Sequence, residues 1–224
     1  MKDNFFEKAK KYCIDFYNDI FKKEMQKKFL IVLCIICVLT FGNSALLQDK
    51  VGGIINSNIT PIKKPLVDNL LNEIITVGLL VLSSIVPNMY ITYFAIPVVS
   101  LVIASEIIVS PNVTIYILIS AIFKIIAYSL AIVLGGLLCK KNTIAFKKAS
   151  LRNDSMINIK RDLLLSFNKD KGKEKIEKID KKIKDKMQKL EDEDKNIILN
   201  FQVFTVINIL VILCITLSTV LKYI

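Results

Sequence analysis

"IITVGLLVLSSIVPNMYITYFAIPVVSLVIASEIIV", residues 74–109, is an apolar stretch of 36 residues interrupted by Pro87, Asn88 and Pro97. The number of membrane crossings turns on how it is read. One straight helix of that length would run roughly 54 Å, against a hydrocarbon core of about 30 Å. The stretch is therefore either a broken single span or a tight helical hairpin. The charge on either side decides between them. Residues 1–28 carry eight Lys against five acids, and residues 140–196 carry 18 Lys+Arg against 11 acids. The segment 48–73 carries three of each. Flanks rich in Lys and Arg stay cytoplasmic. Both basic segments belong inside, so an even number of spans separates them. That requires two spans in 74–109, turning near Val86-Pro87-Asn88. The first arm is short, which leaves a re-entrant segment open.

Working outward, the remaining spans are residues 29–47, 113–139 and 197–221. The expectation is an all-α integral membrane protein with five transmembrane helices, at about 29–47, 74–87, 89–109, 113–139 and 197–224. Its N-terminus is cytoplasmic and its C-terminus outside. Composition agrees: 53% of the 224 residues are hydrophobic while 23% are charged, and the two populations alternate along the chain. Ile and Lys are the commonest residues and Asn is plentiful, as in AT-rich bacterial genomes, so the expected location is the bacterial cytoplasmic membrane. The net charge of +11 follows from basic loops beside spans, without nucleic acid. The charged first 28 residues and the lack of a small-residue cleavage site leave the first apolar run as an anchor. Cys34-Ile-Ile-Cys37 has redox spacing, but inside a span it reads as apolar filling.

Residues 1–28 read as a basic amphipathic cytoplasmic helix, with Phe5, Ala9, Tyr12, Phe16 and Ile20 on one face. Residues 140–196 read as a charged cytoplasmic helical loop. Within it Ile176, Ile179, Ile183, Met187 and Leu190 recur at spacings of 3, 4, 4 and 3, a heptad stripe over about two heptads. Glu174–Lys178, Glu177–Lys181, Asp180–Lys184 and Asp185–Lys189 are i,i+4 pairs in the favourable order. A helix from about 172 to 195 is expected, with its continuation into the fifth span left open. Its stripe is either a partner-binding strip or the face that packs on a neighbouring helix. The outer segment 48–73, with Gly52, Gly53, Pro61 and Pro65, reads as a turn-rich connector and an approach helix. No aromatic residue interleaves the lysines of 169–195, which argues against nucleic acid as a partner.

The chain has no His, no phosphate-cradling glycine loop, no GxSxG and no zinc-ligand spacing. It reads as a non-enzyme with no cofactor and no metal. The residue that stands out is Lys124, inside the apolar run 113–139. An ammonium at mid-depth costs between about 3 and 10 kcal/mol. Ala127, Ala131 and Gly135 follow at small-xxx-small spacing, which admits a neighbouring helix. Lys124 precedes Ala127 by one turn, so it points at a partner helix. Glu106 is the candidate counter-ion, although it lies near the outer end of its span and off the Ser100/Ala104 side. Three readings are open: a structural pair or snorkelling Lys that fixes helix register, a polar site in a transport path, or pairing with another subunit.

The layout resembles the stage II sporulation protein M family of five-span bacterial membrane proteins. Phe41-Gly42 ending the first span looks similar, as does Asn72-Glu73-Ile74-Ile75-Thr76-Val77-Gly78-Leu79 entering the hairpin. In the fourth span the family often shows Pro-x-x-x-Phe-Glu followed by Ala and Gly; here Phe123-Lys124 precedes Ala127, Ala131 and Gly135. Lys124 stands where the family has Glu, and the Pro is absent. The resemblance implies a non-catalytic scaffold that holds cell-wall hydrolases at the sporulation septum. Relatives linked to circular-bacteriocin production imply export or self-immunity beside an ABC-type ATPase. The expected partners are thus the lipid bilayer and other membrane or membrane-associated proteins, with a homo-oligomer open.

Overall fold

The computed structural model describes residues 22–58, 65–86, 91–109, 115–152 and 169–223. It also describes Glu7, Lys10, Lys11, Ile14, Asp15, Ile159 and Leu163. Among these, every regular element is helical. The helices are α1 (Lys23–Asn58), α2 (Leu66–Leu82, followed by a 3-10 turn at Ser83–Ile85), α3 (Ile91–Val109), α4 (Ile115–Arg152), α5 (Lys169–Lys195) and α6 (Phe201–Leu221). Among the described residues, four stretches are long and apolar enough to cross a membrane: Lys23–Gln48, Leu66–Ile85, Ile115–Arg152 and Phe201–Leu221. Thr92–Ile108 in α3 is apolar but shorter.

The chain divides into two compact units. The first comprises residues 1–85, 89–138 and 198–224; the second comprises 86–88 and 139–197. In the first unit α4 is the core. Every residue from Ala127 to Leu137 is buried. An apolar helix surrounded by others needs no polar face. The other helices are one-sided. Val38, Leu79, Phe94 and Leu213 are all more than half exposed on α1, α2, α3 and α6. Apolar surface of this extent suits lipid rather than water. α1 packs along α3, where Asn43 Nδ2 donates to Ser100 Oγ at 3.2 Å.

Several boundaries differ from those read in the sequence. α1 stays helical through Gly52-Gly53 and takes up part of the expected connector. α2 begins at Leu66, directly after Pro65, whose fixed φ suits the start of a helix. It therefore enters well before the apolar run at Ile74. α4 does not stop at Lys140-Lys141. Residues 140–152 contain neither Gly nor Pro, so nothing ends the helix before Arg152. α5 does not run on toward the last span. Asn196 turns, and the Asn200 side chain accepts from the Val203 amide at 2.8 Å, capping a separate helix. Glu7, Lys10, Lys11, Ile14 and Asp15 are helical and exposed. The expected aromatic face of Phe5, Ala9, Tyr12, Phe16 and Ile20 lies outside the described residues.

Candidate functional site

Lys124 lies on the buried side of α4 and is 2% exposed. Its ammonium forms ion pairs with two carboxylates. One is Glu73 Oε1 on α2; the other is Glu106 Oε1 on α3, at 2.5 Å. The second oxygen of each carboxylate is also engaged. Tyr128, one turn after Lys124 on α4, donates its hydroxyl to Glu73 Oε2 at 3.1 Å. Lys222, just past the end of α6, donates to Glu106 Oε2 at 2.8 Å. Two carboxylates thus meet two ammonium groups, and four helices are tied together. Each charge has an opposite charge within reach, which is what removal from water demands.

A polar collar surrounds this cluster. Asn69 Nδ2 on α2 donates to the Tyr223 hydroxyl at 2.5 Å. On α4, Ser120 Oγ donates to the Ser218 carbonyl of α6 at 2.7 Å and lies 3.0 Å from its hydroxyl. Both pairs join helix ends. Lys124 shares Glu106 with a residue one position beyond α6. Helical side chains also lean toward the helix N-terminus. Lys124 lies in the first third of α4, and its cluster reaches the residue just past the end of α6.

Sequence reasoning named Lys124 and Glu106, and the structure brings them together. It missed Glu73 as a partner of Lys124, although Glu73 falls in the expected approach helix; Pro65 marks the start of that helix eight residues earlier. It also missed Tyr128 and Lys222. Tyr128 was accessible from its i,i+4 spacing to Lys124. Lys222 had no local signal, since its partner lies 116 residues away.

Ala127 and Ala131 are 0% exposed, and Gly135 is buried with them. A Cβ on Gly135 would overlap the methyl of Thr92 on α3, and one on Gly136 would overlap the Tyr93 hydroxyl. These two glycines let the first turn of α3 lie directly on α4.

Ile176, Ile179, Ile183, Met187 and Leu190 are all half-buried on α5. In the second unit α5 lies beside the end of α4, where Lys148 Nζ meets Asp194 Oδ2 at 2.7 Å. The two helices form the walls of an open groove of about 430 Å³, lined by Phe146, Lys147, Leu151, Lys186, Lys189 and Leu190. Of the expected i,i+4 pairs, Glu177–Lys181 and Asp185–Lys189 do not close. Exposed pairs of long side chains gain only tenths of a kcal/mol, about what their ordering costs. Among the described residues no cluster of three or more His, Cys, Asp or Glu could hold a metal.

No protein-family model matches the chain, and no curated protein or solved structure matches it either. The resemblance to the sporulation family is carried by the residues quoted above alone.

Proposed function

We propose that the chain is a non-catalytic membrane scaffold of the bacterial cytoplasmic membrane that holds partner proteins through its charged helical segment. The observation that carries this reading is the closed charge balance of Glu73, Glu106, Lys124 and Lys222. Charges that satisfy one another act as a lock between helices. A transport path needs polar groups with capacity left for cargo.

The proposed topology has five crossings, with residues 1–28 and 140–196 inside. The cluster supports it. Glu73 lies midway along α2, Lys124 in the first third of α4, Glu106 near the end of α3 and Lys222 one residue past the end of α6. With five alternating spans, the start of α4 and the ends of α3 and α6 all fall on the outer side. Reporter fusions after Lys28 and Lys171 then give cytoplasmic signals, and fusions after Ile59 and Ile224 give external ones. An external signal after Lys171 breaks the parity.

The partner-holding role is tested with Ile179→Asp combined with Ile183→Asp. The variant inserts normally and loses a co-purifying protein. Retention of that protein would reduce the stripe to a packing face. The competing reading is an export or immunity component. It draws on the break between α2 and α3 and on Pro97 within α3, since interrupted helices build transport sites.

A further inference from the structure

The groove between the end of α4 and α5 combines an apolar surface with uncompensated positive charge. Phe146 and Leu151 of α4 and Leu190 of α5 supply the apolar part, and Phe146 is 60% exposed. Lys147, Lys186 and Lys189 supply the charge, and no acid lines the groove among the described residues. Residues 147 and 151 lie one turn apart on α4, and 186, 189 and 190 share one face of α5. All three lysines are exposed, and none forms an ion pair among the described residues. Lys148, next along α4, is by contrast paired with Asp194 at 2.7 Å. Like charges gathered beside exposed apolar side chains select an occupant that is acidic and apolar at once.

We propose that this groove docks an acidic amphipathic helix of a partner protein. Its apolar residues, at i, i+3 or i+4 and i+7, settle on Phe146, Leu151 and Leu190. Its flanking Glu and Asp meet Lys147 on one wall and Lys186 and Lys189 on the other. This names the partner chemistry for the scaffold reading and rests on that reading. The chain's own charged segments, 1–28 and 140–196, are net basic and would meet these lysines with like charge. Reach disfavours acidic lipid. Phe146 and Leu151 lie about 9 and 16 Å along α4 from Lys140, where the apolar run ends. The headgroup zone is only about 5–8 Å deep on each side of the hydrocarbon.

The test uses the full chain in zwitterionic lipid nanodiscs, with empty discs as the blank. The probe is a fluorescent synthetic helix of about four turns, Leu on one face and Glu on its flanks, read by anisotropy. It is expected to bind about tenfold or more tighter than the same peptide with Lys for Glu, and more weakly as salt rises. Lys147→Glu with Lys186→Glu and Lys189→Glu should reverse that preference. Its thermal midpoint should match the wild type, because the three side chains are exposed and unpaired. A benzophenone amino acid in place of Phe146 should cross-link the acidic peptide. Equal binding of the two peptides overturns the proposal, as does undiminished binding of the acidic one to the charge-reversed variant. A cross-link to phospholipid with the peptide present overturns it in favour of lipid. If the acidic peptide is not held while Ile179→Asp with Ile183→Asp still loses its co-purifying protein, the scaffold reading stands and the groove is not its docking place.

Discussion

Lys124 and Lys189 both sit beside apolar residues on long helices, and their surroundings are opposite. Lys124 is 2% exposed and held by two carboxylates. Lys189 is exposed and has no ionic partner among the described residues. The contrast extends to the units that contain them. In the first, burial makes every unpaired charge costly, so charge is counted and balanced. In the second, water solvates each ammonium, and pairing with another molecule remains open. Stability should therefore respond to charge changes in the first unit, and association should respond in the second.

The largest expected effect tests the first half. Lys124→Glu places a third carboxylate beside Glu73 and Glu106, with Lys222 alone opposing them. Stability should fall by about 3–5 kcal/mol or more, read as loss of folded protein in detergent melts. With Glu106 as sole partner, Lys124→Met would be the mild variant and a swap of Lys124 with Glu106 would rescue. Glu73 changes both expectations. Lys124→Met strands Glu73 with only Tyr128, so it should cost more than Glu106→Gln. Adding Glu73→Gln to Lys124→Met should recover much of the loss. If Lys124→Met melts like the wild-type protein, burial does not enforce pairing here and the contrast collapses.

Shape is the next test. Gly135→Val drives side-chain atoms into Thr92 and should cost about 1–3 kcal/mol in the same melts. Gly135→Ala with Thr92→Ser should lose less than Gly135→Ala alone, because the methyl in the way is gone. Equal losses would mean that the helices shift instead. A smaller effect is expected at the start of α6. Asn200→Ala removes the cap on Val203 and should cost about 1 kcal/mol. The smallest belongs to the second unit. Lys148→Ala breaks the pair with Asp194 and should cost about 0.2–1 kcal/mol, falling further at high salt. A loss at Lys148 as large as at Lys124 would erase the distinction between the units.

The sequence made the apolar helices legible because hydropathy depends only on composition over a window. Lys124 and its run of small residues were legible for a related reason, since a charge inside such a window has no other explanation. Glu73 was not, because the helix that carries it starts in polar sequence and only later turns apolar. Lys222 was not, because the fold alone sets which helix ends meet. The end of α5 was readable in principle: Asn200 stands directly before an apolar run, where a capping residue belongs. The heptad stripe drew the reading instead and left a continuous helix open.

The Lys222–Glu106 contact has a consequence for how the protein is made. Glu73, Glu106 and Lys124 emerge from the ribosome early, as two negative charges against one positive. Lys222 follows Glu106 by 116 residues. At about 5–20 residues per second, that is a delay of roughly 6–23 s. During the delay the nascent helices hold one carboxylate in excess, and only the last helix neutralises it. A chain whose synthesis stops before α6 keeps that surplus charge in the cluster.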